Sequence, residues 1–257
     1  MNVKAKKHLG QHFLTDENIA KKIVEGLDFQ PYHYVLEVGP GTGVLTKYLL
    51  EKSTETYVAE IDTESIEYLK LHYQKLENKH FTGDFLKINL SDFFSGEVAV
   101  IGNFPYNISS QILFKIIENY QQIPEMVGMF QKEVAERTAA VPRTKDYGIL
   151  SVLVQAYYDV KYLFTVHENV FNPPPKVKSG VIKLTRNRKD GLEGNEILFK
   201  QIVKTGFGQR RKKLSNALKS LDIPEVLKSH AFMDKRAEEL SVEDFINFTK
   251  EWKAAKN

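Results

Sequence analysis

The 257-residue chain contains no cysteine, which excludes disulfides, thiolate metal sites and cysteine nucleophiles. Its seven histidines show no metal-ligand spacing, so no metal is expected. No apolar run approaches the roughly eighteen residues needed to span a bilayer, and the opening MNVKAKKHLGQHF holds no apolar segment of signal-peptide type. These absences point to a soluble, cytoplasmic protein with no membrane partner, and monomer is the default oligomeric state. At 42% hydrophobic and 27% charged residues, the chain can bury a sizeable core in one large domain, or in a large one with a smaller appendage. The net charge of +3 conceals an asymmetry: residues 1–185 carry 20 Lys/Arg against 22 Asp/Glu, whereas residues 186–257 carry 16 against 11. A basic C-terminal part suits an anionic partner such as nucleic acid, and equally an ordinary solvated surface.

Short β-rich runs alternate with helical patterns. YVLEVG (34–39), TYVAEI (56–61), HFTGD (80–84), VAVIG (98–102) and EMVGMF (125–130) read as strands, with helix-like segments at 43–52, 63–76 and 109–120 between them. That rhythm is the signature of βαβ units and a mainly parallel sheet. VKYLFTV (160–166) and SGVIKLT (179–185) are joined by a segment containing NPPPK with no helix, so they are expected to pair antiparallel at one sheet edge. After Thr185 the polar RNRKDGLEGN reads as a linker, and the remainder of the chain reads as helical. Ser241 is the expected N-cap of a last helix on which Val242, Phe245, Ile246, Thr249 and Trp252 recur at helical spacing. The predicted division is an α/β domain over 1–187 and a small all-helical domain over 188–257.

EVGPGTG (37–43) places Gly39, Gly41 and Gly43 directly after the first strand, where backbone turns sharply and can approach a ligand closely. Val44 stands where a dinucleotide fingerprint wants glycine or alanine. A tight turn without ligand has the same pattern. The second strand ends in Glu60, a carboxylate placed to accept both ribose hydroxyls of an adenosine-containing cofactor, while Asp62 reads as the N-cap of the next helix. The third ends at Asp84, able to accept from an adenine amino group. Glycine, Glu60 and Asp84 thus fall at three successive carboxyl ends, the edge where such sheets bind ligands.

The fourth strand stops in NFPYN (103–107), and proline cannot continue a sheet ladder. This motif resembles that of S-adenosylmethionine-dependent methyltransferases acting on exocyclic amino groups of nucleobases. Together with HLGQHFL (8–14), EVGPGTGVLT (37–46), GNFPYNISS (102–110), QKEVAER (131–137), VFNPPPKVKSGVI (170–182) and FGQRRKKLSNAL (207–218), it resembles the KsgA family of small-subunit ribosomal RNA adenine N6,N6-dimethyltransferases. The resemblance implies a Rossmann-like methyltransferase fold with a seven-stranded sheet, S-adenosylmethionine as cofactor (S-adenosylhomocysteine as product) and 16S rRNA in the small subunit or its precursor as partner. Two alternatives stay open: the macrolide-resistance type of large-subunit methyltransferase, against which NPPPKVKS and FGQRRKKL speak, and an assembly factor whose methyl transfer is secondary. By position, the family's cofactor-binding residues fall on His12, Leu14, Gly39, Glu60, Asp84 and Asn103. Two positions depart from the commoner pattern, His12 for Asn and Phe104 for Leu.

The catalytic set implied is Asn103, Pro105, Tyr106 and Phe171. The side-chain oxygen of Asn103 and a carbonyl of the Phe104–Pro105 turn would accept the two N6 protons. Tyr106 would stack on the target adenine, and Phe171 would cover its other face. Each aromatic could equally be core. Arg210, Arg211, Lys212 and Lys213 are expected at the start of a helix whose apolar side is Leu214, Ala217, Leu218 and Leu221. Cations are disfavoured at a helix N-terminus, so RNA phosphates would compensate them, although a solvated charge run is the plain alternative. NVKAKKHLGQ (2–11) is basic and aperiodic, and is expected to be mobile without ligands.

Overall fold

The computed structural model describes residues 3–76 and 79–256. Asn2, the first residue of the N-terminal segment expected to be mobile, lies outside them. Among the described residues nine strands form: β1 (Phe13–Leu14), β2 (Tyr34–Val38), β3 (Glu55–Glu60), β4 (His80–Thr82), β5 (Val98–Asn103), β6 (Glu125–Gln131), β7 (Tyr158–Val166), β8 (Phe171–Asn172) and β9 (Ser179–Arg186). Seven make one sheet in the order β4-β3-β2-β5-β6-β9-β7. Pairs β3/β4, β2/β3, β2/β5 and β5/β6 are parallel, whereas β9 lies antiparallel to β6 from Glu125↔Thr185 to Gln131↔Ser179. The chain therefore has the Rossmann-like α/β fold. Strand β9 slots between β6 and β7, so the two runs expected to neighbour each other at one edge do so.

Residues Val98 to Gly102 are buried without a break, as a parallel strand covered on both faces demands. Covering helices include α1 (Glu17–Val24), capped by the Asp16 carboxylate, which accepts from the N–H groups of Asn18 and Ile19, then α2 (Thr46–Leu49), α3 (Thr63–His72) and α4 (Ser109–Glu118), which turns Ile112, Leu113 and Ile116 inward. The helix expected over 43–52 is regular only at α2, its ends being turns. At the amino end of β6, buried Glu125 accepts from the Tyr32 hydroxyl and pairs with Lys183 at 2.6 Å. The segment before β2 is thereby tied to the β6/β9 pair. Strands β1 and β8, two residues each, pair antiparallel with each other and were not foreseen from the sequence.

Chain contacts divide the protein into two compact units: residues up to Ala135 with Val160–Arg186, and Glu136–Asp159 with the residues from Asn187 onward. The chain passes from the first unit to the second within α5 (Lys132–Ala139), and the second unit contains more than the C-terminal helices, for it also takes in α6 (Ile149–Gln155), which packs with α7 (Glu196–Gly208). Its other helices are α8 (Leu214–Ala217) and α9 (Val242–Ala254). Tyr147 and Phe245 both pack on Phe207, with ring centroids 5.9 Å away. On α9, Ser241 caps as expected, in a reciprocal box with Asp244, and Phe245, Ile246, Thr249 and Trp252 are buried. The stretch read as a linker buries Leu192 and Asn195 within this unit.

The turn from β2 into α2 is held from beneath. Glu37, 1% exposed, accepts a 2.6 Å hydrogen bond from the Thr46 hydroxyl. Gly43 has φ +83°, and a Cβ there would fall well inside contact distance of the Tyr73 ring, so glycine lets Tyr73 close over the turn. Burial pushes the Glu37 carboxyl up to about 8, with nearby Glu60 adding to the rise. Because this folded value lies above the unfolded one, the stabilisation from neutral Glu37 is complete below about pH 4.3. It is lost progressively as pH rises through about 8. The isosteric Glu37→Gln should therefore gain several degrees in Tm relative to wild type between pH 5 and pH 9, measured by thermal denaturation at both pH values.

Candidate active site

The parallel register brings the carboxyl ends of β2, β3, β4 and β5 to one edge, where they border a cavity of about 310 Å³. Gly39 follows β2 with φ +69°, and a Cβ built on it would meet nothing within 4 Å, so it is the open floor of the cradle. Glu60, the last residue of β3, is 5% exposed and accepts from the N–H groups of Gly41 (3.1 Å), Ile61 (2.8 Å) and Asp62 (2.9 Å). Burial raises its pKa against the pull of these donors. Asp84 accepts from Leu86 N–H at 3.0 Å and also borders the cavity. Among the described residues the lining holds three carboxyls, Glu37 being the third, and neither lysine nor arginine.

Asn103 closes β5. Its Nδ2 donates to the His12 carbonyl at 2.9 Å. A carbonyl only accepts, so this bond fixes the amide orientation and leaves Oδ1 as an acceptor beside the cavity. After Pro105, the Tyr106 hydroxyl hydrogen-bonds to Ser179 Oγ at 2.6 Å, and the Tyr106 ring stacks on His12 with centroids 5.6 Å apart and 27° between planes. Burial raises the Tyr106 pKa, so the phenol stays neutral. The His12 Nδ1–H donates to the Pro173 carbonyl at 2.7 Å. Only the main-chain oxygen of His12 orients Asn103, so that bond is indifferent to the departure from asparagine at this position.

The N-terminal segment, expected to be mobile, has defined anchors. Lys6 Nζ pairs with Asp62 at 2.5 Å and Gln11 Nε2 donates to the same carboxylate at 3.1 Å. Asp62 also caps α3 through Glu64 N–H, the role foreseen for it. His12 and Leu14 are thereby brought to the cavity with Gly39, Glu60, Asp84, Asn103, Pro105 and Tyr106.

Phe171 is not among them. It is 4% exposed, pairs with Leu14 in the β1/β8 ladder and belongs to the core cluster containing Leu14 and Val166. The ring expected to cover a base fills that core instead. The cation run is also displaced: helix α7 ends at Gly208 and α8 begins only at Leu214, so residues 209–213 form the turn between them. Arg210 there pairs with Glu238 at 2.5 Å and donates to the carbonyls of Lys145 (2.8 Å) and Thr144 (3.0 Å). Lys213 pairs with Asp234 at 3.0 Å. Arg211 and Lys212 are exposed. Residues missed from sequence are Ile61, an isoleucine 53% exposed at the cavity beside Glu60, and Phe85 and Leu86 beside Asp84. An apolar residue next to each strand-end carboxylate was the available signal.

Comparison with known proteins leads in the same direction. Residues 2–254 match the family model described as ribosomal RNA adenine dimethylase. A Flavobacterium johnsoniae protein called ribosomal RNA small subunit methyltransferase A is 58% identical over 253 residues, covering 98% of this chain and 97% of its own. Among solved structures, a dimethyladenosine transferase from Plasmodium falciparum superposes with TM-score 0.84 at 26% identity, over 95% of this chain and 98% of its own. The 23S rRNA methyltransferase ErmE gives TM-score 0.69 at 25% identity, over 94% and 99%. The family match and the 58% identity place the chain in the ribosomal RNA adenine dimethylase family.

Proposed function

We propose that this protein transfers methyl groups from S-adenosylmethionine to N6 of two adjacent adenosines in the loop of the 3′-terminal helix of small-subunit (16S) rRNA, acting in the cytoplasm on the small subunit or its precursor. The observation that carries the reading is the cavity: the carboxylates Glu60 and Asp84 at successive strand ends, neutral Glu37 buried beneath them, no lysine or arginine among the described lining residues, and Asn103 at its rim. Such a lining suits a ligand that is cationic and holds an adenosine, and it disfavours a polyphosphate nucleotide. The residues fit: Glu60 for the ribose hydroxyls, Asp84 for the adenine amino group, Ile61 and Phe85 for the adenine faces, and the Gly39 turn for the aliphatic tail. When bound, the cofactor supplies an electrophilic methyl group.

The remaining chemistry belongs to the chain. The N6 lone pair of adenine is delocalised into the ring, so the amine attacks only once its nitrogen is made pyramidal. Asn103 Oδ1 and the carbonyl of the Phe104–Pro105 turn accept the two N6 protons and hold the nitrogen in line. Once methylated, the nitrogen is acidic enough to give its proton to water, so no strong base is needed. Tyr106 stacks on the target base, worth about 1–3 kcal/mol, against the few kcal/mol spent unstacking it. In the free protein His12 lies on that ring, so the His12 side chain moves aside where the base stacks on the same face. For the second transfer, the monomethylated amine must return with its one N–H directed at an acceptor. On the RNA side, exposed Arg211 and Lys212 meet phosphates, while Arg210 braces the loop at Thr144 and Lys145.

The high identity to a protein named for the small subunit supports that target over the large-subunit alternative. Labelled S-adenosylmethionine offered with unmethylated small or large subunits tests it: dimethyladenosine should form on the small-subunit RNA alone, and label on the large subunit would contradict the reading. Asn103→Ala should lower transfer by about 100-fold or more while filter binding to the subunit stays within about twofold. Arg211→Ala with Lys212→Ala should lower the slope of log affinity against log salt by about 1.5. Arg210→Ala should instead lower Tm, its bonds to Glu238, Thr144 and Lys145 being internal.

A further inference from the structure

Gly102 on β5 and Gly128 on β6 face each other across the parallel ladder. Glycine weakens a central strand, so two in register call for a cause. At Gly102 the neighbouring backbone suffices, because a Cβ there would lie 2.6 Å from the Val38 carbonyl oxygen. Gly128 differs, since its nearest neighbours are all side chains. A Cβ on it would fall well inside contact distance of the Phe104 ring, 2.8 Å from the Phe130 ring and 2.9 Å from Met126 Sδ. The Phe104 ring also lies 2.9 Å from the Cβ position of Gly102. It is 1% exposed and packs against Phe130 with centroids 4.9 Å apart. The bare patch left by the two glycines is therefore its seat.

Phe104 stands between Asn103 and Pro105, and its own N–H donates to the Met129 carbonyl at 3.1 Å. Main chain and ring are thus both fixed to β6. A ring seated on one side of this dipeptide determines where Asn103 Oδ1 and the following carbonyl stand relative to each other. We propose that Phe104, keyed onto the Gly102–Gly128 patch, is a positioning residue for methyl transfer, and that the phenylalanine at 104 and the glycine at 128 are a size-matched pair. The proposal rests on the reading that Asn103 and its neighbours hold the target amine. A side chain that merely filled the core would affect stability; one that aims acceptors affects turnover at constant cofactor affinity, because small displacements of reacting groups cost rate steeply.

The test is a cycle of Gly128→Ala, Phe104→Leu and the double variant, each assayed for kcat on unmethylated small subunits, S-adenosylhomocysteine affinity and Tm. Gly128→Ala, which pushes the ring off its seat, should lower kcat by about tenfold or more, and Phe104→Leu, which leaves the seat half empty, by about fivefold, with cofactor affinity within about twofold for both. Filling the patch from β6 while shortening the ring should restore the double variant to within about threefold of wild type. A double variant no better than the worse single one would overturn the pairing, as would full activity in Phe104→Leu. Should Gly128→Ala not fold, Phe104→Leu against the double variant still decides. An active Asn103→Ala would overturn the underlying reading instead, leaving the two failures distinct.

Discussion

Parallel strands paired in register all end at the same edge, and the site depends on this alignment of β4, β3, β2 and β5. No single one of the turns after these strands makes a binding site. Their side chains are far apart in sequence, and each has a local use as well: Asp84 caps the 3-10 turn that begins at Phe85, and Glu60 gathers the N–H groups of its own strand end. Lateral hydrogen bonding collects them around one cavity. A one-residue slip of any of these strands would turn every one of its side chains to the wrong face.

Burial raises the pKa values of Glu37 and Glu60, with Glu60 adding to the rise at Glu37 and Asp62 to that at Glu60. The chain relieves the cost locally, with a hydroxyl on Glu37 and three N–H groups on Glu60. A cationic ligand relieves it further, so the cavity is arranged to favour the occupant its chemistry requires. The N-terminal segment contributes to the same arrangement from outside. Asp62 holds Lys6 and Gln11, and the segment so anchored presents the His12 carbonyl that orients Asn103.

Features governed by strand period and strand ends were legible in the sequence: the strands, the glycine turn, Glu60, Asp84 and Asn103, all of which line the cavity. What escaped depends on partners distant in sequence. Strands β1 and β8 are too short for any periodicity, yet their pairing places Phe171 in the core cluster and outside the cavity lining. The four cations read as a helix start because Leu214 begins an apolar pattern, but α8 has only four residues. Glu238, which claims Arg210, lies beyond any local window. The Phe104 seat needs the register of β5 on β6, which no single segment states.

In the proposed function one cavity holds the cofactor's adenosine on Glu60 and Asp84 and directs its methyl position toward Asn103. A crystal structure of the protein with S-adenosylhomocysteine tests this most directly. The expected result has the ribose hydroxyls within hydrogen-bond distance of the Glu60 carboxylate, the adenine amine at Asp84 and the sulfur on the Asn103 side of the Gly39 turn. Product bound elsewhere, or bound in this cavity with its sulfur turned away from Asn103, would contradict it.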